Sequence, residues 1–223
     1  LESAGLPIAA IQRVPTTDRA AVGHLLTMSE YVDLIIPRGG RGLIERIQTE
    51  SRVPVLAHLD GLCHTYLHSS ANPKMALEVV LNAKMRRTGI CGATETLLVD
   101  DNYADEDLKP ILQGLIRKGC EIRGDDHIQA LDEHVKEANA ADWDTEYLDA
   151  ILSVRKVTGL EGAVSHINKH GSHHTEAIIA SDEAAAETFQ REVDAGIVIH
   201  NASTQYADGG QFGMGAEIGI STG

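Results

Sequence analysis

Short apolar runs of strand length alternate with helical stretches from one end of the chain to the other. A polypeptide with that rhythm folds as an α/β protein: a mostly parallel sheet with helices on both faces. Residues 31–37 (YVDLIIP) read as a buried strand stopped by Pro37-Arg38-Gly39-Gly40, with helical character over 42–48. Further strands are expected at 53–56, 62–67, 96–99, 151–157, 177–180 and 196–200. Between them the pattern predicts helices over 73–87, with Asn72 as N-cap and Pro73 in the first turn, and over 105–118, ended near Gly119. Two more are expected over 160–169, stopped by Gly171, and from a cap at Asp182 through Val193. The stretch 123–144 is polar, and beyond Asn201 glycine recurs too often for a regular helix, so the tail reads as a shaped loop.

Composition bounds the partners. With 223 residues, 43% of them apolar, the chain can build one or two α/β domains around a real core. No apolar run approaches the roughly 20 residues that span a bilayer, so no membrane partner is expected. A net charge of −14 argues against a nucleic-acid partner, because neutralising phosphates needs a basic face. A small anionic substrate remains compatible, since local arginines outweigh a global field at contact distance. Arg38, Arg41, Arg86 and Arg87 form two such short groups, although Arg41 and Arg86 taken singly read as solvated surface. The first residue is Leu1 and no signal segment follows, which leads us to expect a polypeptide cut, processed or disordered upstream.

Cys63, Cys91 and Cys120 are odd in number and lack CxxC spacing, so a disulfide framework or zinc ribbon is not expected and a reducing cytoplasm is the natural setting. His166, His170, His173 and His174 are close in sequence, but no acidic or cysteine partner completes a ligand set, and no metal is expected. Cys91 differs from the other two cysteines in its surroundings. In NAKMRRTGICGATETLLV, residues 82–99, a helix ending in basic residues gives way to a Thr-Gly turn, the cysteine, and a buried strand. A thiol there can sit at a cleft edge beside backbone N–H groups, with Arg86 and Arg87 favouring its thiolate. From the residues alone, a lone cysteine in such a turn is more often structural than reactive.

Four separated segments resemble one family, the gamma-glutamyl phosphate reductases of the aldehyde dehydrogenase superfamily. They are DLIIPRGG (33–40), the stretch Asn82-Ala83-Lys84 with Arg87, Gly89, Cys91, Ala93 and Glu95 to Val99, INKHGS (167–172), and NAST with DGGQFGMGAEIGIST (201–222). The resemblance implies an aldehyde-dehydrogenase-like fold. Residues 1–56 would be the C-terminal part of a dinucleotide-binding domain, and 57–223 a catalytic domain truncated at its C-terminal end. It implies NADPH-dependent reduction of L-glutamyl 5-phosphate to L-glutamate 5-semialdehyde and phosphate, a step of proline biosynthesis in the cytoplasm, with Cys91 as nucleophile.

For the cofactor, NADPH/NADP, the resemblance points to Arg38, Gly39, Gly40 and Glu146. For the glutamyl substrate it points to Arg87, Glu95, Ser203, Thr204, Gly210 and Phe212. Gln205 stands where the family's usual arginine follows Ser-Thr, so this position would offer the substrate carboxylate only neutral hydrogen bonds. Counting back from Cys91 to the position of the glutamate base of hydrolytic aldehyde dehydrogenases lands on Ala57, which fits a reductive enzyme; His58 and Asp60 are the nearby substitutes.

The intact protein is expected to form a homo-oligomer and to associate with glutamate 5-kinase, while this stretch alone is expected to be inactive. A coenzyme A-acylating aldehyde dehydrogenase using the same cysteine, and a non-catalytic α/β binding module, are the alternative readings.

Overall fold

The computed structural model describes residues 2–57 and 60–215, and the chain divides into two compact units at Ala57/His58. In the first unit, α1 (Ala20–Leu25) and α2 (Arg41–Glu50) carry most of the regular structure. Leu26, Ile44, Ile47, Val53 and Ala57 form its buried side chains. The strands expected over 31–37 and 53–56 reduce to one parallel bridge, Ile35 with Val55. Ile35 N–H donates to Pro54 and its carbonyl accepts from Leu56, 2.9 Å each. A strand persists only where a ladder continues on one side at least, and Tyr31, Leu34 and Ile36 are exposed instead of paired.

Among the described residues the second unit holds seven strands: β1 (Cys63–Leu67), β2 (Thr94–Asp100), β3 (Glu121–Gly124), β4 (Lys136–Glu137), β5 (Ile151–Val157), β6 (Thr175–Ile179) and β7 (Ile197–His200). Their order across the sheet is β4-β3-β5-β2-β1-β6-β7. Every ladder is parallel. The central strands β1, β2 and β6 are buried at every position, as a parallel sheet covered on both faces requires. Leu67, Leu97, Val99, Leu152, Val154 and Ile179 pack one face against α3 (Pro73–Met85) and α4 (Asp105–Arg117). Tyr66, Leu98 and Ile178 point the other way, onto α6 (Gly159–His170) and α7 (Glu183–Glu192). Each fully buried side chain of this kind contributes about 1.5–3 kcal/mol.

Local signals set the helix ends. Asn72 accepts from Met75 N–H at 3.1 Å with Pro73 at the first helical position, and Asp182 accepts from the N–H groups of Ala184 and Ala185. The polar stretch 123–144 is not a plain loop: β3 runs into it, and α5 (Asp126–Gln129), β4 and a 3-10 turn follow within it. β3 escapes a periodicity reading because it is four residues long with Ile122 as its one large apolar side chain; pairing with β5 secures it. No described helix is long and apolar enough to cross a membrane.

Because all strands run the same way, the turns that enter β1, β2, β5 and β6 gather at one edge of the sheet. Cys91 and Glu146 lie on two of those turns.

Candidate active site

Cys91 sits in the turn between α3 and β2, where Ala93 N–H closes back onto Ile90 at 2.9 Å. It is part-exposed, whereas Cys63 and Cys120 are buried, and the three form no disulfide. Burial pushes the Cys63 thiol well up, with Glu176 adding to it, and pushes Cys120 up to about 12. Both are therefore held protonated, and a protonated thiol is a poor nucleophile. Cys63 Sγ donates to the carbonyl of Cys91 at 3.1 Å and lies 3.6 Å from His174 Nδ1. Its work is to fix the backbone of the exposed cysteine.

Gly61 packs flat against that same backbone. A Cβ at Gly61 would stand 2.3 Å from the Cys91 carbonyl oxygen and 2.6 Å from its Cα. Gly61 N–H donates to Glu146 Oε1 at 2.9 Å, and Leu62 N–H to Ser172 Oγ at 2.9 Å. Desolvation raises the Glu146 carboxyl above its ordinary value, against the lowering bond from Gly61. His58 lies outside the described residues, and Asp60 is part-exposed beside Gly61.

Glu95, expected to meet the substrate, is fully buried, and its carboxylate has a partner in the protein. Lys84 Nζ bonds Glu95 Oε2 at 2.6 Å, with both side chains 0% exposed. Leu148 N–H approaches Glu95 Oε1 at 3.4 Å. Burial outweighs the attraction of Lys84 and holds the Glu95 carboxyl up at about 7. Arg87 is exposed, as is Arg86, whose Nη1 donates to the Gln205 carbonyl at 3.3 Å.

The segment 203–206 returns beside the cysteine turn. Ser203 Oγ caps a 3-10 turn by accepting from Gln205 N–H. Thr204 is fully buried, with its hydroxyl 3.0 Å from that of Thr94 and its carbonyl against Gly92. Gln205 does not reach for a ligand carboxylate with its amide nitrogen. Its Nε2 donates to Ala83 at 2.8 Å and Arg87 at 3.1 Å, satisfying carbonyls at the end of α3. Ser203 joins Asn82, Arg86, Tyr206 and Gln211 around a cleft of ≈ 410 Å³. Phe212 is 46% exposed and stands edge-on to Tyr206 at 5.3 Å, while Gly210 N–H is held by Asp208. The remainder of the DGGQFGMGAEIGIST match, residues 216–222, lies outside the described residues.

In the first unit, Gly39 and Gly40 enter the N-terminus of α2 and line a cleft of ≈ 620 Å³ with Arg19, Val22, Gly42, Leu43 and Arg46. A Cβ on Gly39 would come within 2.6 Å of Leu43 Cδ2. A helix N-terminus with glycine backbone and two arginines fits the phosphates of a dinucleotide; Arg38 is exposed beside it. Among the described residues, no group of three or more His, Cys, Asp or Glu side chains is placed to hold a metal ion.

The sequence reading missed Lys84. It had a signal: Ala76, Val80, Ala83 and Lys84 form the buried stripe of α3, which places a cation on an apolar face. Gly61 gave no comparable warning, because its partner lies thirty residues along the chain.

This sheet is that of aldehyde-dehydrogenase-like proteins. An acetylating aldehyde dehydrogenase from Geobacillus thermoglucosidasius superposes with a TM-score of 0.73 over 100% of this chain and 57% of that one, at 22% identity, which is a likeness of fold alone. Within the class the likeness sharpens. Gamma-glutamyl phosphate reductases from Rhodospirillum rubrum and Paramagnetospirillum magneticum are 60% and 63% identical over 100% and 98% of this chain and 52% of their own length. The crystal structure of the Thermotoga maritima gamma-glutamyl phosphate reductase matches with a TM-score of 0.91 at 42% identity, over 94% of this chain and 51% of that one. Along its whole length the chain is similar to gamma-glutamyl phosphate reductases, and it spans about half the length of the curated relatives it matches. No protein-family model matches it.

Proposed function

We propose that the full-length protein reduces L-glutamyl 5-phosphate to L-glutamate 5-semialdehyde and phosphate in proline biosynthesis, using NADPH and a thioester on Cys91. The observation that carries this is the contrast among the three cysteines. Cys91 alone is part-exposed, on a turn held by Gly61 and Cys63, while burial keeps the other two thiols protonated.

In this reading the Cys91 thiolate attacks the acyl carbon. The carbon–oxygen bond to phosphate breaks, and phosphate leaves with the electron pair. Phosphate is a good leaving group, so the protein's task is to position the thiol and the acyl carbon more than to supply a strong acid. NADPH, when bound, supplies the hydride that brings the thioester carbon to the aldehyde level. Breaking the carbon–sulfur bond then returns Cys91 as thiolate.

Arg38, Gly39 and Gly40 are proposed to hold the cofactor phosphates in the first unit, which we read as the end of the dinucleotide-binding domain. Glu146, on the catalytic unit, is proposed as a cofactor ligand through its ribose. Arg87, Ser203, Gly210 and Phe212 are proposed on the glutamyl side, where the exposed arginine suits a carboxylate; Thr204 supports the turn from within. Glu95 is read as a support of the turn as well. A cytoplasmic setting, a homo-oligomer and association with glutamate 5-kinase belong to the same proposal. This stretch, about half of its relatives, is expected to be inactive when produced alone.

The test is a rapid-mix experiment on the full-length protein, with acyl phosphate and no reduced cofactor. A burst of about one phosphate per subunit, with an acyl adduct of matching mass on the Cys91 peptide, is expected. Linear release without a burst contradicts a covalent intermediate.

A further inference from the structure

The cysteine turn is closed at its base by an ion pair. Lys84 is the penultimate residue of α3 and Glu95 the second residue of β2, and the intervening residues carry Cys91. The pair is 2.6 Å long with both side chains fully buried. Such a pair is seldom the most stable filling of a core, because desolvation of two charges offsets most of their attraction. What it supplies is direction: hydrogen-bonded charges fix one geometry, whereas apolar contact does not.

The pair is also linked outward. Glu95 Oε1 faces Leu148 N–H at 3.4 Å, and Lys84 Nζ lies 5.9 Å from the centre of the Tyr147 ring. Leu148 has a φ of 53°, a left-handed conformation that branched or bulky residues rarely adopt without support. Its carbonyl stands 3.5 Å from where a Cβ on Gly89 would be, against the cysteine turn. Two residues earlier, Glu146 binds Gly61, which rests on the Cys91 backbone. The turn thus has Lys84–Glu95 beneath it and the segment 146–148 alongside, with Glu95 joining the two.

We propose that Lys84 and Glu95 are positioning residues that set the Cys91 turn and the 146–148 segment in register with each other for acyl transfer. The proposal rests on Cys91 being the nucleophile. It assigns the pair no contact with substrate or cofactor.

Lys84→Met leaves the buried Glu95 carboxyl without its cation, and Glu95→Gln leaves the Lys84 ammonium without its counter-charge. Each is expected to lower the unfolding midpoint of the full-length protein, the former by roughly 10 °C. Below that midpoint, kcat is expected to drop about 100-fold in either variant with KM within threefold, the signature of a misplaced nucleophile. The double variant Lys84→Met/Glu95→Leu separates structure from positioning. It is expected to regain the unfolding midpoint to within a few degrees without regaining kcat.

Recovery of kcat together with the midpoint in the double variant would overturn the proposal. So would single variants that unfold earlier yet turn over normally. A phosphate burst in the wild type accompanied by either result leaves the Cys91 reading standing and sinks only the positioning role of Lys84 and Glu95. A wild type with no burst sinks both.

Discussion

In Cys91→Ala, reduction of the acyl phosphate by the full-length protein is expected to fall at least about 10⁴-fold, and the phosphate burst to vanish. The size follows from the lack of a substitute. Cys63, which touches Cys91, is 0% exposed, and its thiol is committed to the Cys91 carbonyl. Its thiolate is disfavoured by burial and by Glu176, so it cannot take over the attack at neutral pH. Cys120 lies at the entrance to β3, 4% exposed and likewise held protonated. The same change should leave the fold almost untouched, within about 0.5 kcal/mol, because the lost atom is a part-exposed sulfur. Steady-state kinetics beside a denaturant titration checks both halves. Activity retained within tenfold would mean that another group carries the acyl transfer.

The second large effect is expected at Gly61→Ala. The new methyl would stand 2.3–2.7 Å from three atoms of Cys91, two of them backbone. No flexible side chain can move aside there, so either the strand entry or the cysteine turn must shift. Overpacking of this kind typically costs about 1–3 kcal/mol. The kinetic loss should be larger in proportion, roughly 100-fold in kcat, because a displacement of about 1 Å moves the nucleophile itself. The shift would also strain the bond from Gly61 N–H to Glu146. A crystal structure of the variant, with its kcat, would check the prediction; an unmoved Cys91 and normal turnover would refute it.

The sheet strands were legible because their burial is a property of consecutive residues. Runs such as Thr96 to Val99 and Ile151 to Val157 are apolar enough to read without a partner in view, and pairing lengthened β2 at both ends to Thr94–Asp100. β3 and β4 were not legible, since Glu121–Gly124 and Lys136–Glu137 owe their extended form to neighbours in the ladder. The opposite error arose over 31–37, where an apolar run promised a strand and the described residues supply one bridge.

At the site, the cysteine turn could be placed from its flanking helix and strand, but the supports of that turn could not. Lys84 puts a charge on the apolar stripe of α3 and Glu95 puts one inside a buried strand, but neither position names its partner. Their spacing of eleven places one on α3 and the other on β2, and only the turn between them brings them together. Gln205 shows a related limit. An arginine there would offer a substrate carboxylate a charged fork, whereas the amide nitrogen of Gln205 is spent on the carbonyls of Ala83 and Arg87.

The central claim, that Cys91 is the reactive thiol of a glutamyl pocket, is tested most directly by alkylation. Full-length protein would be treated with a small thiol reagent, with and without L-glutamate 5-semialdehyde or a stable acyl-phosphate analogue, and its cysteine peptides followed by mass spectrometry. Cys91 is expected to be modified well before Cys63 and Cys120, and the ligand is expected to protect it. Equal modification of all three, or modification of Cys91 that the ligand leaves unchanged, would contradict the claim.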